Sequence, residues 1–137
     1  MRPSIDATWL QVAREVSARA TCSRLAVGAV LAVDDRVISS GWNGAPPKLP
    51  HCVHVTDEPC RVAIHAERNA VGFAARKGHA TEGSTLYTTH APCWECASDL
   101  LASGITRVVY GTEYRSLDGV LRLRESGVLV QSEAELS

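Results

Sequence analysis

The chain has 137 residues, 45% of them hydrophobic and 21% charged, the composition of one globular domain rather than of a disordered chain. Lys and Arg number 14 and Asp and Glu 15, for a formal charge of -1, which argues against a protein that grips nucleic acid chiefly by counter-ion release. Five cysteines, an odd count, cannot all enter a disulfide framework, so metal ligation or reactive thiols in a reducing compartment is the reading to test.

Met1 to Leu10 carries no apolar run behind a basic start, as a secretory signal would. The longest apolar run, Leu25 to Val33, is broken only by Gly28 and falls far short of the ~18 residues of a spanning helix. A cytoplasmic protein with no membrane contact is expected, folded as one domain over residues 1–137. Ile5, Trp9, Val12, Val16 and Ala20 recur at helical spacing, which predicts an amphipathic helix over 4–20 with Ser4 as its N-cap. Leu25–Val33, apolar and rich in valine, reads as a strand covered on both faces. Asp34-Asp35 turns it into a second strand, Arg36–Gly41. Residues 43–62 hold four prolines and form a long loop of the kind that carries function. A helix runs from about Ile64 to Gly78, followed by a strand from Ser84 to His90 and a helix from Pro92 to Gly104. A strand over Ile105–Tyr110, a short helix around Leu117 to Leu121 and a strand over Gly127–Gln131 complete the order, and the acidic tail after Val130 is expected to fray. Alternating strands and helices in the second half imply parallel pairing, and the first hairpin adds an antiparallel pair. The expected fold is a five-stranded mixed sheet with helices on both faces, a three-layer α/β/α sandwich.

The sharpest chemical signal is His65-Ala66-Glu67 followed by Pro92-Cys93-Trp94-Glu95-Cys96. The Cys93–Cys96 spacing puts both sulfurs on one face of a helix's first turn, where the positive helix end favours thiolate. His65 opens the other helix, so two helix N-termini are expected to converge on one metal. One His and two Cys leave a fourth position for water, the catalytic rather than the structural zinc pattern, and zinc lowers the pKa of such a water towards ~7. Glu67 is then the general acid–base. His-x-Glu with Pro-Cys-x-x-Cys is the signature of zinc nucleobase deaminases.

Over residues 20–131 the chain resembles the deoxycytidylate (dCMP) deaminase family of the cytidine-deaminase-like superfamily. The resemblance is carried by Cys22-Ser23-Arg24 with Val27-Gly28-Ala29-Val30, by Gly41-Trp42-Asn43-Gly44-Ala45-Pro46 and by Leu49-Pro50-His51-Cys52. It continues in His65-Ala66-Glu67-Arg68-Asn69-Ala70, in Leu86 to Cys93 and in Gly104 to Tyr110. It implies hydrolytic deamination of dCMP to dUMP, with Asn43 on the sugar hydroxyl and Tyr114 near the substrate. It also places backbone groups of Thr88 to Ala91, and His90, against the pyrimidine. For Asn43 the alternative is a turn residue in Asn-Gly. Arg24, Lys48, Arg68 and Arg115 are candidates for the phosphate, since guanidinium offers bidentate contacts, and each is equally well a solvated surface charge. Arg76 is expected at a subunit interface.

The same resemblance implies a homo-oligomer, a hexamer or dimer, and dCTP and dTTP as effectors, with Gly28 and Gly44 consistent with that site. Some relatives carry a second, structural zinc. Here a closed site is expected from Cys22, Cys52, Cys60 and one nearby His, either His51 or His54, the alternative being buried free thiols. Other cytosine substrates (dCTP, CMP, 5-substituted dCMP, deoxycytidine) stay open. A tRNA substrate is disfavoured by the neutral charge. A non-catalytic, competence-associated zinc protein is the reading from another class, and an intact Glu67 argues against it.

Overall fold

The computed structural model describes residues 1–54, 60, 63–113 and 116–136. Helix α1 (Ile5–Ser17) begins where Ser4 Oγ accepts the Ala7 N–H at 3.1 Å. It stops short of the predicted residue 20, because Ala18 and Arg19 close with tighter bonds to the carbonyls of Glu15 and Val16. Strands β1 (Gly28–Val33) and β2 (Arg36–Trp42) form the predicted hairpin. Asp34 and Asp35 both take positive φ, 51° and 62°, the two-residue turn whose twist matches the flanking strands. Helix α2 (Ala66–Arg76) ends at Gly78 with φ 72° and an N–H from His79 to the Ala74 carbonyl, the left-handed stop that glycine permits. Strand β3 (Thr85–His90), helix α3 (Trp94–Ala102), strand β4 (Arg107–Thr112), helix α4 (Asp118–Glu125) and strand β5 (Leu129–Ser132) follow.

The sheet order is β2-β1-β3-β4-β5. β1 pairs antiparallel with β2 and β3, while β3, β4 and β5 run parallel. Alternate residues face opposite layers. Leu10, Ala13, Val30, Ala32, Tyr87 and Val109 pack α1 on one face. Leu31, Leu86, Leu100, Val108, Val120 and Leu123 pack the other face beneath the remaining helices. The three-layer α/β/α sandwich with a mixed five-stranded sheet is therefore present as expected.

Two departures from the sequence reading have local causes. The first strand begins at Gly28 rather than Leu25, because the Asn43 side chain takes the Val27 N–H and the Leu25 carbonyl, groups that a sheet ladder would need. The tail after Val130 does not fray as described. β5 continues to Ser132, and a 3-10 turn, Glu133–Glu135, is closed by a capping box between Ser132 and Glu135. Leu136 then packs against the α1 layer. The apolar pattern weakens there, but the cap satisfies the backbone.

Helix and sheet meet at backbone distance in two places. A Cβ on Gly28 would lie 2.0 Å from the Ala13 carbonyl of α1. A Cβ on Gly41 would lie 2.4 Å from both the Ala66 carbonyl and the Ala70 nitrogen of α2. The buried face of α2 is correspondingly small: Ala66, Ala70 and Ala74 are wholly enclosed. Small residues thus seat α2 on the hairpin. The start of β1, the ends of β2, β3 and β4, and the N-termini of α2 and α3 all share one edge of the sheet.

A polar cluster fastens α1 to the sheet. Arg107 on β4 reaches both Asp6 oxygens at 2.7 and 2.8 Å, Tyr87 Oη donates to the same carboxylate at 2.7 Å, and Arg107 also donates to Gln131 on β5. The Arg107 guanidinium, then the Tyr87 hydroxyl, hold the Asp6 carboxyl below its usual 3.8 against an opposing effect of burial. The folded-state pKa lies below the unfolded one, so this stabilisation is complete above about pH 5 and fades as pH falls through 3.8 towards the folded-state value. Asp6→Asn is expected to lower stability at pH 7 by about 1–2 kcal/mol in urea titrations. The gap to the parent should close towards pH 2, and a gap that is independent of pH would contradict this account.

Candidate active site

His65 is the N-cap residue of α2 and Cys93 that of α3. Extended backbone at each aims the side chain beyond the helix end, where the two N-termini meet. His65 Nδ1 lies 3.1 Å from Cys96 Sγ and 3.5 Å from Cys93 Sγ. Bonds of about 2.0 Å to nitrogen and 2.3 Å to sulfur on a tetrahedral ion would separate such donors by about 3.5 Å, so the three fit zinc. The electrostatics agree. Cys93 is drawn down to about 3, first by the Cys96 thiol that donates to it and then by His65. Cys96 is pushed up by Cys93 and by burial. Cys93 is thus the thiol that ionises first, and a dication bound there would displace the proton of Cys96 as well. Cys93, His65 and Glu67 also carry the local charge that raises or lowers its neighbours: the hydrogen bond to Cys93 raises His65, with Glu67 adding to it.

Glu67 sits in the first turn of α2, 5% exposed. Burial pushes its carboxyl up, while its own backbone N–H, His65 and the Cys96 thiol pull the other way. It faces a cavity of about 290 Å³ lined by Cys22, Arg24, Leu25, Val27, Asn43, Cys60, Ala63, His65, Ala66, Glu67, His90, Ala91, Cys93 and Glu95. The three donors and the carboxyl predicted from sequence are thus brought together, His65, Cys93 and Glu67 on the pocket wall and Cys96 buried behind it.

The expected substrate residues fare differently. Asn43 is buried at the cavity wall, with Oδ1 accepting from Val27 N at 2.7 Å and Nδ2 donating to the Leu25 carbonyl at 2.5 Å. One lone pair and one N–H are left over. The Asn-Gly pair is therefore no hairpin turn: Gly44 bridges to Ile64 instead. His90 lines the cavity, and burial lowers its pKa, so the ring is neutral at pH 7. Thr88 lies beneath, its hydroxyl donating to the His90 carbonyl, and the Ala91 N–H donates to Thr112. Neither group points a spare donor at the pocket. Tyr114 and Arg115 lie outside the described residues. Arg24 is the one arginine or lysine among the described lining residues. Arg68 pairs with Asp99 of α3 at 2.5 Å, and Arg76 stacks on Phe73 at 5.6 Å.

Gly28, the first residue of β1, is pressed against the backbone of Ala13 and Ser17 of α1. Gly44 lines a second cavity of about 280 Å³ with Arg19, Trp42, Lys48 and His51 among its other walls. Among the described residues no cysteine is joined in a disulfide. Cys22, Cys52, His54 and Cys60 form a second cluster, with every donor atom within 4.8 Å of the others. His54 joins it, with Nε2 at 3.1 Å from Cys22 Sγ, while His51 lies in the other cavity. Burial, with Cys22 and Cys60 adding to it, pushes the Cys52 thiol up to about 12.

Sequence reasoning did not single out Leu25, Val27, Ala63 or Glu95. Glu95 had a signal, since it lies between two ligands in one helical turn. The others had none: the fold of the 21–27 segment brings in Leu25 and Val27, and the pairing of Ile64 with Gly44 brings in Ala63.

The family model for the cytidine and deoxycytidylate deaminase zinc-binding region matches residues 3–112. The chain belongs to this family. It is 38% identical to the deoxycytidylate deaminase of Mycobacterium phage D29, over 82% of this chain and 98% of that protein. It is 34% identical to the ComE operon protein 2 of Bacillus subtilis, over 86% of this chain, but spans only 65% of that relative's length. Among solved structures it is similar to the dCMP deaminase of cyanophage S-TIM5 in complex with dCMP and dUMP. That likeness has a TM-score of 0.89 and 32% identity, covering 96% of this chain and 98% of the phage chain. The family is zinc-binding, and the His65, Cys93 and Cys96 donors fit that ion.

Asn43→Ala would leave the Val27 N–H and the Leu25 carbonyl buried without partners. A loss of about 2–3 kcal/mol is expected in thermal or urea unfolding. A loss below about 0.5 kcal/mol would show that water or neighbouring groups replace the amide.

Proposed function

We propose that the protein hydrolyses dCMP to dUMP and ammonia in a zinc-dependent reaction. The observation that carries this reading is the Glu67 carboxyl on the wall of a cavity of about 290 Å³, enclosed beside a donor set of His65, Cys93 and the buried Cys96. The likeness to the phage dCMP deaminase supports the choice of substrate.

Zinc held by the three donors would supply Lewis acidity, making water nucleophilic at neutral pH. Glu67 takes one proton from the attacking water and gives it to the ring nitrogen, then takes the second from the hydroxyl so added to the carbon and gives it to the amino group, which leaves as ammonia as the C–N bond breaks and the carbonyl forms. Its raised pKa suits a group that must hold a proton between these events. Neutral His90 borders the base. The spare lone pair and N–H of Asn43 suit a sugar hydroxyl, and Arg24 suits the phosphate. CMP, dCTP, 5-substituted dCMP and deoxycytidine fit the same wall in part, but a nucleoside would leave Arg24 without a phosphate. A purely structural role would not need a carboxyl enclosed at the metal, which favours the enzyme over a non-catalytic zinc protein. No described helix is long and apolar enough to cross a membrane, and five cysteines without a disulfide suit a reducing compartment such as the cytoplasm. Assembly into a hexamer or dimer is part of this reading. Light scattering tests it, and a monomer would contradict it.

Cys22, Cys52, His54 and Cys60 would hold a second, closed zinc, since four donors leave no open position. The second cavity, with Arg19 over Trp42 at 5.5 Å and Lys48 and His51 beside it, is the proposed place for dCTP or dTTP. There the indole and cations suit a base and phosphates.

Glu67→Ala is expected to keep its zinc and lose at least about a thousandfold in turnover. Residual activity within tenfold of the parent would reject the assigned role. In a panel of dCMP, CMP, dCTP, deoxycytidine and 5-substituted dCMP, dCMP should give the highest kcat/KM. A preference for deoxycytidine would sink the nucleotide assignment. Trp42→Ala should abolish any response of that rate to dCTP and dTTP, and a retained response would move the effector site elsewhere.

A further inference from the structure

We infer that the Cys22, Cys52, His54 and Cys60 cluster sets the phosphate end of the catalytic cavity. Metal in the cluster and a 5′-phosphate in the cavity would then strengthen each other's binding. The inference rests on the reading of the cavity as a cytosine nucleotide site.

Residues 21–27 belong to no helix or strand, so their shape depends on side-chain anchors. Asn43 holds both ends. Its carbonyl accepts the Thr21 N–H at 3.0 Å, and its side chain holds Leu25 and Val27. Between these ends, Cys22 and Ser23 are fastened outward to the cluster. Cys22 Sγ lies 3.1 Å from His54 Nε2, and the His54 N–H donates to Ser23 Oγ at 3.2 Å. Arg24 is the next residue and turns back to the cavity. Cys22 and Cys60 belong to both places: their sulfurs are donors in the cluster, and the residues line the cavity.

Without a metal, the cluster is held by thiol and imidazole contacts, which are weak. With one, four bonds tie residues 22, 52, 54 and 60 to a single point and leave the 22–24 turn one conformation. A phosphate on Arg24 selects that same conformation from inside. Each ligand then lowers the ordering cost of the other, and thermodynamic linkage makes the effect reciprocal. The coupling is specific to the phosphate because Arg24 is the residue displaced, while the base and sugar rest on His90, Asn43 and the α2 end. Cys52 and His54 thereby act as positioning residues.

Two measurements decide it. Cys52→Ser and His54→Ala should each bring zinc, measured by elemental analysis, from two per chain to one. Calorimetry should then show dUMP bound on the order of tenfold more weakly, with deoxyuridine within twofold of the parent. In the unmodified protein, a saturating level of dUMP should slow the loss of the second zinc to a chromogenic chelator by a similar factor, and saturating deoxyuridine should not. This second arm stands even where the variants fail to fold. Undiminished dUMP affinity in a one-zinc variant, equal loss for dUMP and deoxyuridine, or chelation indifferent to dUMP would each overturn the coupling. One zinc per chain in the parent would overturn it with the second cage. A parent that binds deoxyuridine as tightly as dUMP and does not deaminate dCMP would instead refute the proposed function. A parent that prefers dUMP while its variants lose nothing would refute the coupling alone.

Discussion

The buried amide of Asn43 is the constraint on which the catalytic side of this molecule depends. Its oxygen and nitrogen take one backbone group each from Val27 and Leu25, which stops β1 at Gly28 and forces the preceding residues off the sheet. A continuous strand from Leu25 would have paired those groups with a neighbour and closed the space where the cavity lies. A polar side chain with both donor and acceptor is needed for that exchange, because an apolar residue of the same size would leave two backbone groups buried and unpaired. The cavity thus owes one wall, Leu25 and Val27, to a diverted strand, while Cys60 and Ala63 supply another.

On the opposite wall, two helices start at one point. Ala66, Ala70 and Ala74 let α2 lie against Gly41 at backbone distance, and the parallel β3–β4 pair delivers the start of α3 to the same sheet edge. The positive ends of both helices favour thiolate and carboxylate there. Burial of Glu67 works against its charge. The site therefore combines one thiol that ionises readily, Cys93, with a carboxyl that keeps a proton readily, a division of labour typical of acid–base centres.

Much of this was legible in the sequence because it is local. His65-Ala66-Glu67 and Cys93 to Cys96 are short motifs at helix starts, and their meaning survives without knowing the fold. The hairpin was legible in Asp34-Asp35, and β1 and β4 in their valine-rich runs. The start of β1 was not, since the apolar pattern of Leu25 to Val27 is that of a strand and only a residue 16 or more positions away redirects it. The choice between His51 and His54 was hidden for the same reason. Both lie in one proline-rich loop, and its path sends one to the thiols and the other to a separate cavity. The ordered tail was missed because a capping box and one leucine, Leu136, replace the periodic apolar signal. Thr88 and Ala91 carried family-like sequence but spend their donors within the fold.

The glycine–alanine seam between β2 and α2 has a consequence for how such a protein changes over time. A helix resting on backbone atoms has no side chains to trim or enlarge by degrees, so its position is nearly discrete. The angle at which His65 and Glu67 enter the pocket is inherited with that seam. Lineages that drift in sequence elsewhere are free to reshape the walls at Leu25, Ala63 and Glu95. Substrate preference can therefore diverge among descendants while the reacting centre keeps its geometry. A gain of even one methyl at Gly41 would displace the whole helix at once.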